Sequence, residues 1–394
     1  MTQVDRNGTV KTALPGVAAS GRRNFLAVAA GGAIAGFPMI AMAREATVLR
    51  LQGAWSAKDI FHEYALDFAK KINDMSGGRL RVDVLPAGAL VKPQDLQEAV
   101  HRGVIDGCHA VPAFWHGRNT AFSLFGSGPA LGLDANGLLA WIRHGGGMAL
   151  YLELIHRQMN LDIVPFFYGP MPTQPLGWFK KPVKSGTEFR GLKLRAEGLV
   201  ADLFREMGAK PEAVPMQDIV AAMQRGRIDA AEFNNASSDR WLGLPDAARI
   251  CMLQSYHQPA EVFEVLFNRK KFEALPADLR AIVRHAAEAA SADMSWKAAY
   301  RYADDQAWLR ERGVQFHKTP ALVLRAQLRA WSAVAARHAQ QNPLFDKVWR
   351  SQLEWARRTV GWSRETIVNP AAAHDYWFAG KSGKTGKSAK QPAY

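Results

Sequence analysis

Leu96-Gln97-Glu98-Ala99-Val100-His101-Arg102-Gly103-Val104-Ile105-Asp106-Gly107 returns later in the chain as Ile219-Val220-Ala221-Ala222-Met223-Gln224-Arg225-Gly226-Arg227-Ile228-Asp229-Ala230. In each copy apolar residues at helical spacing run to a glycine, and a strand then begins through Ile-Asp. A helix that ends at glycine and feeds a strand is half of a β-α-β unit. Its recurrence implies two similar lobes in succession.

Outward from the first copy, 47–52 reads as a strand and 59–75 as a helix, with Ile60, Phe61, Tyr64, Ala65, Phe68 and Ile72 on one face. Residues 79–85 alternate as a second strand, 93–102 form a short helix, and 104–111 a buried strand. This β-α-β-α-β order implies a largely parallel sheet with crossover helices. Between the copies, 161–168 and 176–179 read as strands joined by the proline-rich Gly169-Pro170-Met171-Pro172-Thr173-Gln174-Pro175. Prolines there exclude a helix and stiffen a passage between lobes. A helix at 199–207 and a strand at 212–214 precede the second copy, and strands at 250–256 and 262–268 follow it. The remainder reads as helical: a very long Ala-rich helix over 277–312, then helices around 320–341 and 343–358. At about 1.5 Å per residue the long one extends roughly 50 Å, enough to tie both lobes together. The expected fold is therefore α/β and two-lobed, with a long helix spanning both lobes and a helical C-terminus. Its divisions are lobe I at 44–168, lobe II at 169–268, the spanning and C-terminal helices at 269–378, and a disordered basic tail at 379–394.

Within the second lobe, Gly191-Leu192-Lys193-Leu194-Arg195-Ala196-Glu197-Gly198 is a short alternating strand that delivers a guanidinium to its last position. Open α/β sheets bind ligands beyond the carboxyl ends of their strands. Arginine offers a planar, permanently charged fork that meets a carboxylate with two parallel hydrogen bonds. Arg195 is thus a candidate clamp for a small carboxylate, although the residue taken alone fits a surface arginine beside a turn as well or better.

The N-terminus carries Ser20-Gly21-Arg22-Arg23-Asn24-Phe25-Leu26, an apolar Gly-rich run, then Ala41-Met42-Ala43. This is the pattern of a twin-arginine export signal, residues 1–43, cleaved before Arg44, and it places the mature chain in the periplasm. The formal net charge is +14. Loss of the signal removes Arg6, Lys11, Arg22 and Arg23 against Asp5, so the mature chain stays basic. In an exported protein, with Lys and Arg spread throughout, that charge points to anionic solutes or a membrane surface, not to nucleic acid. The tail from Lys381 to Lys390 fails the phosphate-loop spacing, because Lys381 and Phe378 stand where the first glycine belongs. Cys108 and Cys251 each sit in an apolar, strand-like run and are expected as buried free thiols.

Enzyme motifs are missing. The chain holds no H-x-x-x-H, H-E-x-x-H, G-x-S-x-G or C-x-x-C, and His101, His109 and His116 fall on different elements.

The order of elements, "QPLGWF" (174–179), "FRGLKLRAEG" (189–198), "GRIDAAEFNN" (226–235) and "FNRKKFEALPADLR" (267–280) resemble the periplasmic solute-binding subunit of tripartite ATP-independent periplasmic (TRAP) transporters, of the DctP type. "FWHGRNTAFSLFGSGPALG" (114–132) and "WIRHGGG" (141–147) are most similar to its 2-oxo-acid-binding branch. The resemblance implies a type II-like periplasmic binding protein that closes on a small carboxylate and passes it to a membrane permease. Under it Arg195 matches the carboxylate clamp. Gln174 and Glu232 match the side chains, and Phe233 the backbone carbonyl, that hold a cation touching the ligand. Oxygen donors of this kind suit Na⁺ or Ca²⁺. Asn234, and from the first lobe Trp55, Phe114, Trp115 and His116, are the further candidates around the ligand. Position 233 is Phe where Trp is more usual, which alters the pocket wall but not a carbonyl. The same motifs leave open a dicarboxylate, a sugar acid or an aromatic acid as ligand, or a sensor as partner. Phe345, Val348, Trp349, Leu353, Trp355, Trp362, Tyr376, Trp377 and Phe378 form a C-terminal aromatic and apolar series. It either packs on the protein's own lobes or, as the branch implies, joins a homodimer through a C-terminal helix.

Overall fold

The computed structural model describes residues 46–378; the expected export signal and basic tail lie outside them. Among the described residues the strands are β1 (Thr47–Gly53), β2 (Leu80–Leu85), β3 (Gly107–Ala110), β4 (Ile163–Met171), β5 (Gly177–Phe179), β6 (Lys193–Arg195), β7 (Lys210–Glu212), β8 (Ala230–Ala231), β9 (Ile250–Leu253), β10 (Glu261–Asn268) and β11 (Gln315–Lys318). They form two sheets, in the orders β2-β1-β3-β10-β4 and β11-β9-β5-β8-β6-β7.

The sequence repeat is a structural one. β1 lies between β2 and β3, parallel to both, and β6 lies in the same way between β7 and β8. The helices that lead into β3 and β8, Leu96–His101 and Ile219–Gln224, are the repeated segments. Each is closed by a glycine in the left-handed region, Gly103 at φ 72° and Gly226 at φ 73°, where a side chain would be strained. The Ile-Asp that follows has the same task twice. Asp106 accepts from the Arg50 N–H (2.8 Å) and donates its own N–H to the Arg50 carbonyl (3.0 Å). Asp229 does the same with Lys193, at 3.3 and 2.7 Å. Each aspartate pins its helix to the middle strand of its three-stranded parallel unit, β1 or β6.

Several expectations are corrected. β3 is shorter than 104–111, because Val104 and Asp106 belong to the turn after Gly103 and Val104 is 64% exposed. β7 ends at Glu212, where 212–214 was expected. Lobe II was expected to run to 268, but β10 pairs antiparallel with β3 and β4 and so belongs to the first sheet. The second sheet instead gains β11 from the supposedly helical remainder, parallel to β9. Helices at Ala135–His144 and Gly147–Leu152 were not foreseen. The last long helix runs to Thr366 instead of 358.

The chain crosses between the sheets after β4, through Pro172–Leu176, and again between β9 and β10. The helix Ala277–Glu311 ties the two together: Leu279, Val283, Ala287 and Met294 enter the core of the first sheet, while Leu309 enters that of the second. Phe345 and Val348 also pack into the first core, whereas Trp362, Tyr376, Trp377 and Phe378 are exposed. Cys108 and Cys251 are free and buried. No described helix is long and apolar enough to cross a membrane.

Candidate ligand-binding site

Three neighbouring strands of the second sheet assemble the site. β8 pairs with β5 through Trp178 and Ala231, and with β6 through Arg195 and Ala231. Gln174 precedes β5, Glu232 follows β8 and Arg195 closes β6; because β5 runs antiparallel to β8 and β6 parallel to it, residues far apart in sequence come to one end of these central strands. Arg195 Nη1 donates to Glu232 Oε1 at 2.5 Å, its Nη2 to Glu197 Oε1 at 2.8 Å, and its Nε to the Val214 carbonyl at 3.4 Å. Gln174 donates through Nε2 to Asn234 Oδ1 at 3.5 Å. Its Oε1 is buried without a hydrogen-bond partner.

The electrostatics are dominated by the burial of two acids. Burial pushes the Glu232 carboxyl up to about 7, against the pull of the Arg195 guanidinium. Glu261, the first residue of β10, is pushed up to about 8 by burial, with the Glu232 charge adding to the rise. Gln258 donates to Glu261 Oε2 at 2.6 Å, and the Gln258 carbonyl accepts from the Gln174 N–H at 3.2 Å. A buried carboxylate, an amide oxygen with no donor and a second acid nearby are a donor set suited to a hard cation. Phe233 lies in the core of the second lobe.

Glu197 and Glu261 were missed by the sequence reading. Glu197 stands two residues past Arg195 in a stretch read only for its strand. The signal for Glu261 was present, since acids inside a strand otherwise as apolar as 261–267 need a reason to be there.

The first-lobe candidates divide. Trp115 faces into the first lobe. It is fully buried and donates to Glu264 Oε1 at 2.6 Å, and Glu264 also accepts from the Tyr151 hydroxyl, so it packs the first core. Trp55 is buried too, donating to His109 Nδ1 at 3.0 Å, with the half-buried Phe114 at 5.2 Å between ring centres. His116 comes up to the second lobe: a Cβ on Gly198 would stand 3.6 Å from the His116 Cβ. A cavity of about 540 Å³ opens there, bordered by His116, Glu197, Asp202 and Pro215. A second cavity, of about 750 Å³, is bordered by Gln174, Asp239 and Tyr302. Ser238 bridges the sheets by donating to Asp59 Oδ1 at 3.1 Å.

The family model for bacterial extracellular solute-binding proteins, family 7 (DctP), matches residues 51–342. The chain belongs to this family. It is 26% identical over 298 residues to the monocarboxylate 2-oxoacid-binding periplasmic protein of Nostoc sp., covering 75% of this chain and 80% of the relative. Among solved structures, a TRAP transporter solute-binding protein of Bordetella bronchiseptica superposes with a TM-score of 0.78 at 25% identity, covering 85% of this chain and 98% of the other. That structure is a mixed-occupancy dimer with copurified calcium and picolinate in one site and the other site apo. A TRAP solute-binding protein of Colwellia psychrerythraea, with calcium and pyruvate bound, gives 0.77 at 26% identity, over 84% and 99% of the two chains. Its counterpart from Pseudoalteromonas atlantica holds sodium and pyruvate, with 0.76 at 25% identity over 84% and 99%. The two-lobed α/β fold expected from the chain is thus that of the DctP family.

Proposed function

We propose that this DctP-family protein captures a small 2-oxo or 2-hydroxy monocarboxylic acid together with Na⁺ or Ca²⁺ and delivers it to the membrane permease of a TRAP transporter. The observation that carries this reading is the Arg195–Glu232 pair beside a Gln174 oxygen with no partner. Arg195 receives the ligand carboxylate. Glu232, Gln174 and the Phe233 carbonyl hold the cation, which neutralises the buried acid and polarises the 2-substituent of the ligand. Pyruvate in two of the similar structures and the 2-oxoacid-binding relative support that ligand class. Asn234 and Phe114 stand as further ligand contacts, with Trp55 behind them. The lobes open and close about the crossing segments and the long helix, and bound ligand shifts that equilibrium toward the closed form.

Export by the twin-arginine route and work in the periplasm belong to the same reading, as does a homodimer through the C-terminal helices. The exposed Trp362, Tyr376, Trp377 and Phe378 are the surface such a dimer would cover. Light scattering at micromolar concentration would give a dimer mass; a monomer mass would remove that part. The ligand reading is tested by calorimetric titration of dialysed protein with pyruvate, lactate, succinate and an aromatic acid, with and without each cation. Cation-dependent binding of a monocarboxylate supports it. Binding of succinate or the aromatic acid regardless of cation would sink both the ligand class and the metal site.

A further inference from the structure

We infer that the Glu197 carboxylate is a built-in competitor for the ligand: it holds the outer nitrogen of Arg195 until a ligand carboxylate displaces it, and thereby sets the affinity of the site. The inference rests on the reading of Arg195 as the carboxylate clamp.

Three of the five N–H groups of Arg195 have acceptors, one on each nitrogen, so an incoming carboxylate that grips two nitrogens meets an acceptor already on each and binds better when one of them leaves. The Val214 carbonyl is main chain of a buried residue. The Glu232 side chain is 6% exposed. The Glu197 side chain, at 43% exposed and bordering the cavity of about 540 Å³, has room to turn. It also has somewhere to go. Glu197 is the residue that precedes the helix Gly198–Glu206, at φ −131° and ψ 161°, and its side chain makes no capping bond. The unpaired N–H groups and positive end of that helix offer its carboxylate a second resting place. The site thus contains one fixed acid, Glu232, and one displaceable acid, Glu197, on the same arginine.

A partly exposed, charge-assisted contact of this kind is modest in strength, which corresponds to about a three- to tenfold effect on affinity. Calorimetry with pyruvate and calcium on wild type, Glu197→Gln, Glu197→Ala and Arg195→Ala tests it. Both Glu197 variants are expected to bind about three- to tenfold tighter than wild type. Equal or weaker binding overturns the inference, the latter showing that Glu197 positions Arg195. Arg195→Ala keeps the two failures apart: if it binds as wild type does, the clamp reading itself is lost. A readout independent of the physiological ligand is the side-chain NMR signal of ¹⁵N-labelled Arg195 titrated with formate. It should saturate at several-fold lower formate in Glu197→Gln than in wild type, and coincident titrations would overturn the inference.

Discussion

At the scale of single residues, the site is a balance between the Arg195 guanidinium and the acids around it, Glu232 buried and Glu197 partly exposed. Arg195→Ala leaves Glu232 buried without its partner and removes the clamp, so pyruvate binding should weaken by about 2 to 5 kcal/mol in calorimetry. Arg195→Lys keeps the charge but not the fork and should recover only part of it. Glu232 supplies the pH dependence. Burial raises its carboxyl from the ordinary 4.5 to about 7, so the folded protein holds this proton more tightly than the unfolded chain does. Its contribution to stability is therefore complete below the ordinary carboxylate range and is lost as pH rises through about 7. A cation requires the ionised form and must expel the proton. Calcium affinity should accordingly climb with pH by up to about tenfold per unit, level off above about 7, and lose this dependence in Glu232→Gln. The position of Arg195 at the end of a strand was legible from the alternation of Leu192 and Leu194 with Lys193 and Arg195, and β6 does close on it. The partner of Trp115 was not legible, because a tryptophan beside a strand end reads the same whatever its indole N–H meets, here the buried Glu264.

At the scale of elements, the junction of β5 with β8 lies between Gln174 and Glu232, the proposed cation donors. Gly177 sits there at φ +136°, and a Cβ on it would lie 2.5 Å from the Ala231 carbonyl oxygen and 3.1 Å from the Glu232 Cα. Gly177→Ala must push β5 away from β8, at a cost of about 1 to 3 kcal/mol in urea unfolding. Calcium affinity should drop with it, because Gln174 and Glu232 flank that junction; unchanged affinity would show that they do not act together. The elements carrying the repeat were readable because helical period, glycine stop and Ile-Asp restart recur together. β10 and β11 were not, for a physical reason: which sheet a strand joins depends on partners distant in sequence. Glu261–Asn268 returns to β3 and β4, and Gln315–Lys318, too short and polar to stand out, gains its place only beside β9.

At the scale of the whole molecule, one buried hydrogen bond joins helices of the two lobes. Ser238, fully buried, donates to Asp59 Oδ1, which also caps the helix Ile60–Met75 by accepting from the Phe61 N–H at 2.9 Å. Ser238→Ala removes the bridge and spares the cap. It should lower stability by about 1 to 2 kcal/mol and enlarge the radius of gyration of the ligand-free protein in small-angle scattering. An unchanged radius would mean that the bridge does not hold the lobes. Two lobes and a spanning helix were readable from the chain, whereas this bridge joins residues whose sequence neighbourhoods give no sign of each other. The central claim, that one site takes a carboxylate and a cation together, is met most directly by X-ray diffraction from crystals grown with pyruvate and calcium, with anomalous data to locate the metal. The account predicts calcium between Gln174, Glu232 and the Phe233 carbonyl, with the pyruvate carboxylate on Arg195 and Glu197 turned away. Pyruvate bound elsewhere, or on Arg195 with no metal beside Glu232, would contradict it.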